Sequence, residues 1–180
     1  MKEERLYIVG YMASGKTTFG RALAARSGWD FLDLDSEVER LEGRTIPEII
    51  ATEGEEYFRR LESRALKATT SLRRTVVACG GGTPCYRDNM EFMTLHGMTL
   101  WLIASPGRMA ARILEAGTVK RPLLDGKSPE ELPAHVERHL RERQPHYMKA
   151  RWRFSGEHLE NAAEIEAAVD KFINDFNLLK

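Results

Sequence analysis

The chain has 180 residues, 42% of them apolar and 30% charged, with 27 basic residues balancing 27 acidic ones. That length suits one domain spanning 1–180, and the neutral balance removes any global argument for nucleic acid or an anionic membrane as partner. Two cysteines, Cys79 and Cys85, are too few for a disulfide scaffold. No signal-peptide run and no stretch of about 18 apolar residues is present, so a cytoplasmic location is expected.

In chain order, the apolar run Leu6–Gly10 reads as a strand and leads into Gly10-Tyr-Met-Ala-Ser-Gly-Lys-Thr-Thr18. This is the phosphate-loop pattern G-x-x-x-x-G-K-[ST], set between a strand and a helix. Backbone N–H groups there cradle phosphates, Lys16 reaches the β- and γ-phosphates, and the Thr17 hydroxyl can ligate Mg²⁺. A nucleoside triphosphate is the implied ligand.

Phe31–Leu34 reads as a second strand. Period two would put Asp33 and Asp35 on one face at its carboxyl end, one serving Mg²⁺ and the other orienting or deprotonating a hydroxyl. Asp35 or Ser36 could instead cap the next helix. Thr45 with Glu48 reads as a capping box. In the charged helix around Glu55–Glu62, Arg59 is either an i,i+3 partner of Glu62 or a fork for a substrate carboxylate.

Thr75–Cys79 is a buried-looking strand followed by Gly80-Gly81-Gly82, where the backbone either approaches a ligand closely or hinges. Asp88 with Glu91 reads as a second capping box, and Met98–Ile103 as a fourth strand. Gly117–Gly126 mixes Lys120, Arg121 and Pro122 with glycines. Such a segment can close over nucleotide and carry an arginine to the transferring phosphoryl group. Arg121 is the candidate, with Arg112 upstream as the weaker alternative.

Ser128 with Glu131 reads as a third box, with Pro129 at the first helical position. His135 and His139 have a spacing that can hold zinc, but no third ligand accompanies them and a solvated helix face is expected. Pro145 favours a helix break, leaving Arg143 near the end and facing the cleft. Arg151–Phe154 is a fifth, edge strand; Lys149, Arg151 and Arg153 alternate along it without the interleaved aromatics of a nucleic-acid surface. From Ala162 to about Asn177, the Ile165, Val169, Phe172, Ile173 and Phe176 stripe reads as a helix docked on the core. Together these imply a three-layer αβα fold with a five-stranded parallel sheet and ligands at the strand carboxyl ends.

The loop GYMASGKTTFGR, then D-L-D, F-R-x-L-E, C-GGG, R-P-L-L and R-Q-P-H-Y, in unbroken order from about Leu6 to Ala150, resemble shikimate kinases of the nucleoside monophosphate kinase-like P-loop group. The resemblance implies that ATP, with Mg²⁺, phosphorylates the 3-hydroxyl of shikimate on the route to aromatic amino acids. ATP would be held by Ala13, Ser14, Gly15, Lys16, Thr17, Thr18 and Arg121, and Mg²⁺ by Thr17 and Asp33. Asp35 would orient or deprotonate the hydroxyl. Arg59, Arg143 and the backbone of Gly80, Gly81 and Gly82 would hold shikimate, within an acceptor region of about 35–62 and beneath a lid of about 112–127. Ala13 and Cys79 depart from the Gly and the Thr or Ser common at those positions, so strain is expected at Ala13. The adenine-binding stretch would fall near 157–161. A monomer is expected. A gluconate or nucleoside monophosphate kinase, or a non-catalytic nucleotide-binding module, are the alternatives.

Overall fold

A computed structural model of the chain describes residues 4–116 and 128–176. Arg121 and most of the expected lid lie outside them.

Alternation along the strands explains the layers. In β1 (Arg5–Val9), Leu6 and Ile8 face one apolar cluster while Tyr7 and Val9 face another. β3 (Thr75–Ala78) splits Val76 from Val77 in the same way, and β4 (Met98–Ile103) splits Leu100 from Trp101. The first cluster is closed by Phe19 and Leu23 of α1 (Lys16–Ser27) and by Val169 and Phe172 of α8 (Ala162–Phe176). The second is closed by α2 (Leu34–Glu42), α3 (Ile46–Glu53), α4 (Glu55–Ala68), α5 (Asn89–His96), α6 (Pro106–Glu115) and α7 (Leu132–Tyr147). With β2 (Asp30–Asp33) and β5 (Trp152–Ser155), the five strands form one parallel sheet in the order β2-β3-β1-β4-β5. This is the three-layer α/β fold, and every strand's carboxyl end opens on the same edge. The apolar stripe of α8 is covered by the core, and no described helix is long and apolar enough to cross a membrane.

Several local expectations need correction. β2 ends at Asp33, not Leu34, and Asp35 lies in the first turn of α2 rather than on the strand. Asp33 is itself the N-cap, accepting from the Asp35 and Ser36 N–H groups at 3.2 and 3.3 Å. The Thr45–Glu48 box forms in both directions. Asp88 makes no side-chain cap, because its carboxylate faces Lys67 at 3.4 Å. Ser128 and Glu131 do exchange both hydrogen bonds, yet regular helix begins only at Leu132. α7 runs through Pro145 to Tyr147, since a proline in the last turn forfeits little of the ladder. His135 is buried rather than solvated, its ring centroid 4.2 Å from that of His139 with the two planes tilted by 50°.

Candidate active site

The phosphate loop turns between β1 and α1, and its backbone takes a positive φ of 59° at Ala13, where the sequence predicts strain. Lys16 opens α1, and its ammonium donates to the Tyr11 carbonyl at 2.7 Å. The Thr17 hydroxyl donates to Asp33 Oδ2 at 2.8 Å, so two hard oxygen donors from different elements stand side by side. Thr18 is exposed and faces a groove shared with Arg21 and Ile165, outside the cleft. Ser14 is buried, and its hydroxyl finds no hydrogen-bond partner among the described residues.

A cleft of about 460 Å³ runs from this loop to α4 and the triple glycine. Ala13, Lys16, Thr17, Asp33, Asp35, Arg59, Gly80, Gly81, Gly82 and Arg143 all line it. Ile46, Pro47, Ile50 and Phe58 supply an apolar wall. Six segments distant in sequence thus converge on one space.

Arg59 is the i,i+3 partner of Glu62, as one of its two readings expects. It lines the cleft while its guanidinium donates to Glu62 at 2.8 Å and to Glu55 at 3.0 Å. Burial works against its charge, but the two carboxylates outweigh burial and hold its pKa above the ordinary value. Glu62 is fully buried and also accepts from Thr83 Oγ1 at 2.5 Å. Its pairing with Arg59 was expected from the i,i+3 spacing, but its full burial and its bond to Thr83 were not. The signal was present: Glu62 interrupts the apolar stripe of Phe58, Leu61, Ala65 and Leu66 on α4. Thr83 carried no such signal.

The glycines are required by close approach. A Cβ on Gly80 would lie 2.5 Å from Glu62 Oε1 and 2.7 Å from Asp35 Oδ1, and one on Gly82 would strike the Arg59 guanidinium at 2.6 Å. Gly81 is fixed instead by its carbonyl, which accepts from the buried Tyr147 hydroxyl at 2.6 Å. Arg143, one helical turn before Tyr147, sits with its Cζ 5.5 Å from the Tyr11 ring.

Asp35 is the electrostatic centre of the cleft. Burial raises its pKa first, and the Glu62 and Asp33 carboxylates raise it further. Lys16 and Arg59 pull it back, and the balance is about 7. Cys79 also lines the cleft, where burial keeps its thiol neutral; its sulfur lies 3.5 Å from Met93 Sδ. Arg112, the weaker candidate for the mobile arginine, is tied to Glu160 and to backbone carbonyls. In the stretch expected to meet adenine, Glu157 accepts from the Ser105 N–H and hydroxyl, each at 2.7 Å.

The family model for shikimate kinase matches residues 12–176. The chain belongs to the shikimate kinase family. A shikimate kinase of Phocaeicola vulgatus is 38% identical over 173 residues, covering 96% of this chain and 98% of that one. The crystal structure of shikimate kinase from Bacteroides thetaiotaomicron superposes with a TM-score of 0.91 at 35% identity, covering 97% of this chain and 98% of the other. The solved structure of shikimate kinase from Acinetobacter baumannii in complex with shikimate superposes with a TM-score of 0.82 at 33% identity, covering 97% of this chain and 93% of the other. A shikimate kinase of this kind is a transferase with a P-loop, and the cleft's order from loop to triple glycine fits that membership.

Proposed function

We propose that this chain transfers the γ-phosphoryl group of ATP to the 3-hydroxyl of shikimate, giving shikimate 3-phosphate and ADP on the route to aromatic amino acids. The observation that carries this reading is one cleft joining a phosphate loop and Asp35 to two arginines, Arg59 and Arg143. The hydroxyl oxygen forms the new bond to phosphorus, the bond from phosphorus to the ADP oxygen breaks, and the hydroxyl proton passes to Asp35. A carboxylate with a pKa of about 7 suits that task at neutral pH.

Arg59 and Arg143 grip the shikimate carboxylate, with the Gly80–Gly82 backbone beside them. Because Glu62 and Glu55 already hold the Arg59 fork, it meets the substrate without first being ordered. Lys16 and the N–H groups of Ala13 to Thr18 hold the ATP phosphates. Thr17 and Asp33 are the pair suited to Mg²⁺, whose charge would neutralise the phosphate oxygens when bound. Arg121, outside the described residues, adds a further positive charge from the 112–127 segment.

Residues 1–180 act as one domain, with the acceptor region at 35–62. We further propose a monomer in the cytoplasm, which the scatter of exposed Leu41, Leu95 and Leu114 over three helices and the two unpaired cysteines support. The family assignment disfavours gluconate, a nucleoside monophosphate or a non-catalytic module.

3-Deoxyshikimate separates acceptor from mere ligand. It should compete with shikimate and accept no phosphate; phosphorylation of it would move the reaction to another hydroxyl. Tyr147→Phe removes only the hydroxyl that fixes Gly81. One lost hydrogen bond should raise the shikimate KM about five-fold. The ATP KM should stay unchanged in the same initial-rate series, and an equal rise in both constants would reject this role.

A further inference from the structure

The back of the phosphate loop is walled by residues 156–160. A Cβ on Gly156 would lie 2.5 Å from the Ser14 carbonyl, and one on Gly15 would strike Leu159 Cδ1 at 2.6 Å. Arg112 of α6 spans this seam. Its Nη1 donates to the Ala13 carbonyl at 3.2 Å, and its Nη2 donates to the carbonyls of Gly156 at 2.9 Å and Glu157 at 3.2 Å. Nε and Nη2 both reach Glu160 Oε1, at 3.0 and 2.7 Å. Only 13% of the side chain is exposed. Each of the three guanidinium nitrogens donates to at least one protein acceptor, which is the use of a planar fork rather than of a free charge.

The carbonyl that Arg112 holds belongs to Ala13, the residue with φ 59°. A side chain with a Cβ keeps that conformation only where its surroundings over-determine it. We infer that Arg112, locked by Glu160, is a positioning residue that holds the strained Ala13 turn of the phosphate loop against the 156–160 loop, and so presets the loop for nucleotide. The inference rests on the phosphate loop binding ATP, but it does not depend on which acceptor is phosphorylated.

The test uses the nucleotide-free protein and MgADP, without any acceptor. Lysine keeps the charge of Arg112 but cannot reach Glu160 and three carbonyls at once. Arg112→Lys should speed amide hydrogen exchange in the loop peptide 11–18 before nucleotide is added. It should weaken MgADP binding, read by calorimetry, about ten-fold, the scale of a slightly misplaced site. Shikimate binding should be unchanged.

Glycine adopts the positive φ without being held, so the same substitution in an Ala13→Gly background should cost only about three-fold. An equal loss in both backgrounds with unchanged exchange would mean that Arg112 acts by touching nucleotide, and would overturn the inference. Should Arg112→Lys fail to fold, Glu160→Gln loosens the same fork: faster loop exchange supports the inference and unchanged exchange rejects it.

Discussion

The Asp35→Asn variant is expected to turn over shikimate about three orders of magnitude more slowly than the parent, while unfolding at a higher temperature above pH 7. The loss follows because asparagine cannot accept the hydroxyl proton, although its shape still fits between Lys16 and Gly80. The gain in stability follows from the same burial. In the folded chain the Asp35 carboxyl titrates at about 7, against an ordinary value of 3.8. The folded state therefore binds more protons than the unfolded state between those values, and stability falls as pH rises through that window. Above pH 7 the ionised carboxylate weakens the parent by about 2 kcal/mol, roughly half the fully desolvated figure because the cleft admits water. Asparagine carries no such charge, so the variant should melt about 6 °C higher at pH 8 and equally at pH 4. In the parent, kcat/KM for shikimate should fall below pH 7 with unit slope. Unchanged turnover in the variant, or a melting difference that persists at pH 4, would remove Asp35 from this role.

Lys16→Met is expected to lower kcat/KM for ATP by about a thousand-fold. The Lys16 ammonium donates to the Tyr11 carbonyl of its own loop, and methionine keeps the stem's packing while losing the charge. Fold and shikimate binding should survive, as calorimetry with shikimate alone would check. A loss of only a few-fold would mean that the loop backbone carries the phosphates without Lys16.

Much of this arrangement was legible because its signals are local. The phosphate loop, the apolar runs of the strands and the Gly80–Gly82 turn are contiguous patterns, and the loop and the turn each follow a strand's carboxyl end as expected. Asp33 and Asp35 were identified as a pair, but their geometry was not. The strand stops one residue sooner because Asp33 satisfies the first N–H groups of α2, a local competition that alternation cannot reveal.

The supports of the site were the hidden part, since they join distant segments. Thr83 reaches Glu62 across 21 residues, Tyr147 reaches Gly81 across 66, and Arg112 reaches Ala13 across 99. None of these contacts leaves a spacing in the chain. Burial of His135 is likewise decided by packing on the core, not by its helix alone.

The most direct measurement is ADP release from the purified protein with MgATP, compared with and without shikimate and with gluconate and CMP in parallel. Release that depends on shikimate, with the other two near the background rate, is the predicted result. Release driven by gluconate or CMP instead, or none with any acceptor despite intact ATP binding, would contradict the account.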